Sequence, residues 1–251
     1  MTHGWTTSSK PSRGSWIAER TVAVVRRIAC TVGDVIEHGE RVYTVELTPA
    51  QTVPRFRPGQ FLHLALDSFD RDGFWPESRV FSIASSAQEL DRLAITYAVK
   101  GTFTTRMEGE LRPGRSVWVK LPYGEFFIDH MRDAVLFAGG TGVTAFTAFL
   151  ASLAPDHPRK VVLFYGARTE RLFVYGELAR RQAARVPALS ACLVSEDANG
   201  RLSVERAWPE VARLEDPIFY LSGPPAMITV LSDQLIAHGV AAEDIRTDAW
   251  E

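Results

Sequence analysis

The chain has 251 residues, 46% of them hydrophobic, with 28 Lys and Arg against 30 Asp and Glu for a formal net charge of -2. That size and composition suit one large or two ordinary globular domains, and so balanced a charge gives no electrostatic case for nucleic acid or an anionic membrane surface. Its two cysteines, Cys30 and Cys192, are too few for a disulfide framework or for an iron–sulfur cluster, which takes about four thiolates. No apolar run approaches the roughly 20 residues of a transmembrane helix, and the first residues lack a signal peptide's apolar stretch. A cytoplasmic protein without a membrane span is the expectation.

Residues 1–19 are rich in Thr, Ser, Gly and basic residues without a sustained period, which predicts a flexible N-terminal tail. From residue 20 to 130 the segments Thr21–Ile28, Arg41–Leu47, Gln60–Leu66, Val80–Ala84, Leu93–Val99 and Ser116–Lys120 are short and rich in β-branched or aromatic residues. Gly, Pro and Asp separate them, the pattern of an antiparallel β-barrel, with one short helix over about Thr104–Glu110.

Over residues 131–251 the pattern changes. Buried strands at Ala134–Ala138, Val161–Tyr165, Leu189–Val194 and Ile218–Leu221 alternate with helical stretches at Val143–Leu153, Tyr175–Ala184, Val204–Arg213 and Ala226–His238. Such alternation predicts a doubly wound α/β parallel sheet, with Ile245 opening its last strand. Within it, Ala134 to Ala138 reads as a strand buried on both faces. The run Gly139-Gly140-Thr141-Gly142 follows, and then a helix. Gly140, Gly142 and Ala145 match the G-x-G-x-x-A dinucleotide pattern, in which glycines let backbone N–H groups approach a pyrophosphate at a helix N-terminus. Glycine turns also serve simply to pack strand against helix.

In the barrel, Arg79, Val80, Phe81 and Ser82 put an arginine, an aromatic ring and a hydroxyl on one strand. Further on, Gly101, Thr102, Phe103 and Thr104 form a helix start suited to an anion. Taken alone, these read equally as a barrel edge and an ordinary capped helix. Together with Pro122-Tyr123-Gly124-Glu125-Phe126, the glycine run, Tyr165-Gly166-Ala167-Arg168 and Ser222-Gly223-Pro224-Pro225-Ala226-Met227, in that order, they form a specific set. Over residues 20 to 251 the chain resembles the ferredoxin–NADP reductase superfamily.

The resemblance implies a barrel that binds FAD and an α/β domain that binds NADH or NADPH, with hydride passing from nicotinamide to flavin N5. It implies that Arg79 pairs with the FAD pyrophosphate, with Val80 beside it among the cofactor-binding residues, that Phe81 lies against the isoalloxazine, and that Ser82 serves the N5 region. Tyr97, Ala98 and Val99 would line the flavin, and Gly101 to Thr104 would close over the pyrophosphate. Gly140, Thr141, Gly142 and Val143 would cradle the coenzyme phosphates. Ser222, Gly223, Pro224 and Met227 would shape the nicotinamide pocket. Two positions depart from the family pattern: Phe81 replaces a usual Tyr, and Ser222 replaces a usual Cys, leaving Ser222 either a hydride-transfer residue or a structural serine.

Arg168 is either a reader of an NADP phosphate or a surface charge paired with Glu170. Ser195-Glu196-Asp197 argues for NADH, because carboxylates repel a ribose phosphate. Trp250 would stack near flavin or adenine, as terminal aromatics do in the family, or pack as a surface aromatic. The six histidines show no metal-ligand spacing, so no metal is assigned. With no cluster or haem domain accounted for, the acceptor is expected to be a separate protein: a ferredoxin, a flavodoxin or an oxygenase component. Arg55, Arg57, Arg106, Arg112 and Arg115 are candidates to dock it. The alternatives are a free flavin or quinone reductase, and a flavin-binding electron-transfer subunit with little activity alone.

Overall fold

A computed structural model describes residues 24–129 and 131–248. The predicted tail and Trp250 therefore lie outside the described residues. Six antiparallel strands, β1 (Arg26–Glu37), β2 (Val42–Pro49), β3 (Phe61–Ala65), β4 (Ser78–Ser82), β5 (Leu93–Ala98) and β6 (Ser116–Tyr123), form one sheet in the order β4-β3-β6-β1-β2-β5. Its two ends meet where the Ala84 N–H donates to the Ala94 carbonyl at 2.8 Å, curling the sheet into a nearly closed barrel. The strands alternate as a one-sided sheet should: Ile28, Cys30 and Val32 of β1, Leu62 and Leu64 of β3, and Val117, Val119 and Leu121 of β6 all point into one core. One helix, α1 (Thr102–Glu110), follows β5.

The first strand runs later than its expected span of Thr21–Ile28. Gly33 and Asp34 read as punctuation, yet the β1–β2 ladder absorbs them in a register shift between Val32 and Val35, so the strand continues to Glu37. Helix α1 likewise begins two residues before its expected start, because Thr104 accepts from the Lys100 and Gly101 N–H groups at 2.9 and 3.0 Å and closes the turn from inside.

The C-terminal sheet holds five parallel strands: β7 (Ala134–Gly139), β8 (Val161–Ala167), β9 (Leu189–Ser195), β10 (Ile218–Ser222) and β11 (Ile245–Asp248), in the order β11-β10-β7-β8-β9. Helices α2 (Thr144–Ser152) and α3 (Gly176–Arg185) cover one face; α5 (Val204–Val211) and α6 (Pro225–Ala237) cover the other. The short helix α4 (Glu196–Asn199) follows β9. Every residue of β7 is buried, which is why that segment shows no polar alternation. Burying Val135, Leu136 and Phe137 contributes roughly 1.5–3 kcal/mol each.

The two ends of this sheet are built differently. At the amino end the buried Asp133 carboxylate accepts from the Lys160 N–H at 2.9 Å and the Glu215 N–H at 3.1 Å, stapling three connections. At the carboxyl end, glycines replace staples. A Cβ on Gly142 would lie 2.4 Å from the Ser222 carbonyl oxygen, and one on Gly223 would lie 3.0 Å from Gly139 Cα. The turns after β7 and β10 therefore interlock backbone against backbone. G142A should cost about 3 kcal/mol, since backbone cannot move aside as a flexible side chain can, lowering Tm by about 6–12 °C in thermal denaturation.

Candidate functional site

In the barrel, β4 and the start of α1 converge. Arg79 projects from β4, its guanidinium 5.1 Å above the Phe103 ring and its Nη2 3.0 Å from Glu77. Phe103 is buried in the barrel core, so it acts as the platform beneath Arg79, while Thr102 and Gly101 stay exposed beside it. The spacing that places a threonine at each end of this turn also sets the helix N-terminus next to a planar cation, an arrangement suited to a diphosphate.

Phe81, two residues along the same strand, meets Tyr97 edge-on at 6.1 Å, and Tyr97 in turn stacks on Tyr43 at 5.6 Å. Val80 and Ser82 are half-buried on the other face of β4; Ala98 and Val99 are half-buried where β5 ends. Tyr97 is the odd member. It is 3% exposed, yet its hydroxyl has no hydrogen-bond partner among the described residues. Burial holds that phenol far above its ordinary range, so it remains a neutral donor in want of an acceptor.

At the second half of the site, β7 ends in Gly139 and turns through a 3-10 segment, Gly140–Val143, into α2. Gly140 has φ of 54°, and a Cβ there would meet nothing within 4 Å, so its backbone faces open space at the carboxyl edge. Thr141 and Gly142 are half-buried and Val143 fully buried. Pro224 and Met227 flank this turn from α6: a Cβ on Gly139 would lie 2.4 Å from the Met227 sulfur and 3.0 Å from Pro224 Cδ. An open glycine turn at the carboxyl ends of β7 and β10, where the strand order reverses, is where an open α/β sheet takes a ligand.

Ser222 ends β10 with its hydroxyl donating to Asp248 Oδ2 at 3.1 Å, both side chains buried. The two act as one buried polar pair. Asp248 carried no signal in the sequence beyond its place on the last strand, where parallel register sets it opposite Ser222. Phe61, opposite Ser82 in the β3–β4 ladder, and Asp248 both line a groove of about 980 Å³ between barrel and parallel sheet.

Arg168 does not pair with Glu170. Its Nη1 lies 2.6 Å from Oε2 of Glu40, on the β1–β2 turn of the barrel. A second bridge crosses nearby: Tyr175 shares a hydrogen bond of 2.7 Å with Thr96, which shares one of 2.8 Å with Thr44. Of the arginines expected to dock a partner, Arg106 is held by Asp67 and Glu110, and Arg115 by Glu110. Arg57 lies over the Phe127 ring at 3.6 Å.

Residues 136–233 match the model of the oxidoreductase NAD-binding domain. The chain is 27% identical to the ferredoxin reductase component of 3-ketosteroid-9-alpha-monooxygenase from Mycobacterium tuberculosis, over 78% of this chain and 55% of that protein. It is 26% identical to the reductase component of propane 2-monooxygenase from Rhodococcus jostii, over 83% of this chain and 60% of that one. Its fold superposes on an Amycolatopsis cytochrome P450 reductase with a TM-score of 0.77 at 22% identity, covering 91% of this chain and 71% of the other. The domain match, these relatives and the shared fold all support a resemblance to the ferredoxin–NADP reductase superfamily. The chain spans little more than half the length of the first of those relatives.

The residues present fit a flavin and a dinucleotide. The unpartnered Tyr97 hydroxyl and Arg79 above the α1 N-terminus suit the flavin, and the open Gly140 backbone suits the phosphates of a dinucleotide. Replacing Tyr97 by Phe removes a buried hydroxyl that lacks a protein partner. The flavin-free protein should keep its stability or gain about 1 kcal/mol in denaturant unfolding, while FAD affinity falls by about five- to tenfold in fluorescence titration.

Proposed function

We propose that this chain is an FAD-dependent NAD(P)H oxidoreductase that delivers electrons to a separate acceptor. The observation that carries the reading is the unpartnered, buried Tyr97 hydroxyl beside Phe81, on a barrel whose Arg79 overhangs the α1 N-terminus. A hydroxyl left so would cost stability unless a ligand meets it. Two relatives named as reductase components of monooxygenases support the same reading. A cytoplasmic setting suits the two free cysteines, Cys30 and Cys192.

Bound on the barrel, FAD would accept hydride from a reduced nicotinamide and release the electrons to the next carrier. The chain's own residues bind and orient. Arg79 offers a planar fork to phosphate oxygens, and the first N–H groups of α1 add to it. Phe81 presents a ring face or edge to a planar ligand, with Ser82 at the end of the same strand. Gly140, Thr141 and Gly142 let a second pair of phosphates approach the backbone at the head of α2. The Ser222 and Asp248 pair fixes a hydroxyl at the end of β10, and Gly142 packs its backbone against Ser222 there.

Anaerobic titration tests the whole reading. The purified protein, reconstituted with FAD, should lose its visible flavin absorbance stoichiometrically with NADH, and R79A should weaken FAD binding by at least about tenfold. A protein that stays oxidised with both coenzymes is instead a binding subunit.

The acceptor's docking face we assign to the outer surface of the barrel around Arg27, Arg71 and Lys120. These cations line a groove of about 560 Å³ with Phe69, Trp118 and Tyr123, and none has a carboxylate partner among the described residues. Lys120 faces His63, which itself faces Val80 of β4, so the groove lies about 10–15 Å from the Arg79 strand at sheet spacing. Unmatched cations on an aromatic floor fit an acidic protein. K120E should raise KM for a protein acceptor several-fold, more at low salt than at high, and leave turnover with a small artificial acceptor unchanged.

A further inference from the structure

Arg168 follows the carboxyl end of β8, the second strand of the α/β part and the neighbour of β7. In a nucleotide-binding crevice of this topology, that position reads the adenosine ribose: an acid takes the free 2′-hydroxyl, an arginine a 2′-phosphate. Here the arginine is present but its charge is already met, Nη1 lying 2.6 Å from Glu40 Oε2.

Glu40 comes from the other half of the molecule. It sits on the turn between β1 and β2, where Gly39, Glu40 and Arg41 have φ of 89°, 48° and 59°. Two successive non-glycine residues in the left-handed region persist only where the surroundings hold them. The surroundings are visible: Arg41 Nε donates to Glu108 of α1 at 3.0 Å, Tyr43 donates to the same carboxylate at 3.0 Å, and the Val99 N–H donates to the Arg41 carbonyl at 3.0 Å. The turn is thus anchored on its barrel side, and Glu40 is the residue it extends toward the sheet. Nearby acids are engaged elsewhere, Glu196 with Arg201 at 2.8 Å and Asp197 with Ser195.

We propose that Glu40 is a specificity-determining residue for the coenzyme: presented by the barrel, it neutralises Arg168 and so disfavours dinucleotides that carry a 2′-phosphate. The inference rests on the dinucleotide reading above. Both side chains are well exposed, 73% for Arg168 and 42% for Glu40, so a phosphate can compete for the arginine and the discrimination is graded.

The test is direct binding, by calorimetry, of 5′-AMP and 2′,5′-ADP to the flavin-loaded protein. E40Q should tighten 2′,5′-ADP relative to 5′-AMP by about five- to tenfold, the gain should shrink as salt rises, and adding R168A to E40Q should cancel it. An unchanged ratio in E40Q, or a gain that survives in the double variant, overturns the proposal. Binding of 5′-AMP throughout leaves the dinucleotide reading standing in that case. If neither nucleotide binds the wild-type protein or E40Q, the dinucleotide reading falls and Glu40's role falls with it.

Discussion

The structure depends on one close approach, the contact of the turn after β7 with the turn after β10. Backbone meets backbone there, Gly142 against the Ser222 carbonyl and Gly223 against Gly139, with the Met227 side chain packed over Gly139. That contact leaves Gly140 facing outward with its φ of 54°, and it aims the N-termini of α2 and α6 at the same edge of the sheet. Two helix N-termini and an open backbone meet there, beside the Ser222 and Asp248 pair. Nothing bulkier than glycine could hold the same geometry.

The barrel meets that rim through polar contacts. Tyr175 reaches Thr96, Glu40 reaches Arg168, and the Asp129 N–H donates to Tyr220 at 2.8 Å. Closer packing occurs where residues leave the barrel: a Cβ on Gly59 would lie 1.9 Å from the Phe126 carbonyl oxygen, and the Phe126 ring meets both Phe146 and Tyr220. One side of the junction is fixed by backbone and aromatic contact, the other by hydroxyls and an ion pair. The groove of about 980 Å³ between the two halves lies on the first of these sides, where Phe126 and Tyr220 both line it.

Much of this was legible in the residues. The buried run Ala134 to Ala138 and the glycines after it declared a parallel strand and a tight turn into a helix, because both signals are local. The barrel strands were legible from their β-branched and aromatic residues and the Gly, Pro and Asp between them, except that the first, expected to end at Ile28, runs on through a register shift to Glu37. What the sequence could not show is any partner distant along the chain. Glu40 and Arg168 are 128 residues apart and Ser222 and Asp248 are 26 apart, and neither pairing has a spacing rule. The unpartnered state of Tyr97 is hidden for the same reason, since a missing partner is a property of the packed surroundings and not of the tyrosine.

The strand order has a consequence for how the protein is made. Strand β7 pairs with β8 on one side and with β10 on the other, and β10 begins 79 residues after β7 ends, at Ile218 after Gly139. During synthesis from the N-terminus, the glycine turn after β7 emerges with only one wall. The second wall, from Ser222 to Met227, arrives later, when β10 adds to the edge of β7 opposite β8. Long-range parallel pairing of that kind is slow, and until it is complete the apolar flank of β7 lacks its cover. The contact between the turns after β7 and β10 therefore forms only once Ile218 to Met227 has been made, and a nascent chain stalled before Ile218 leaves one edge of β7 without its partner strand.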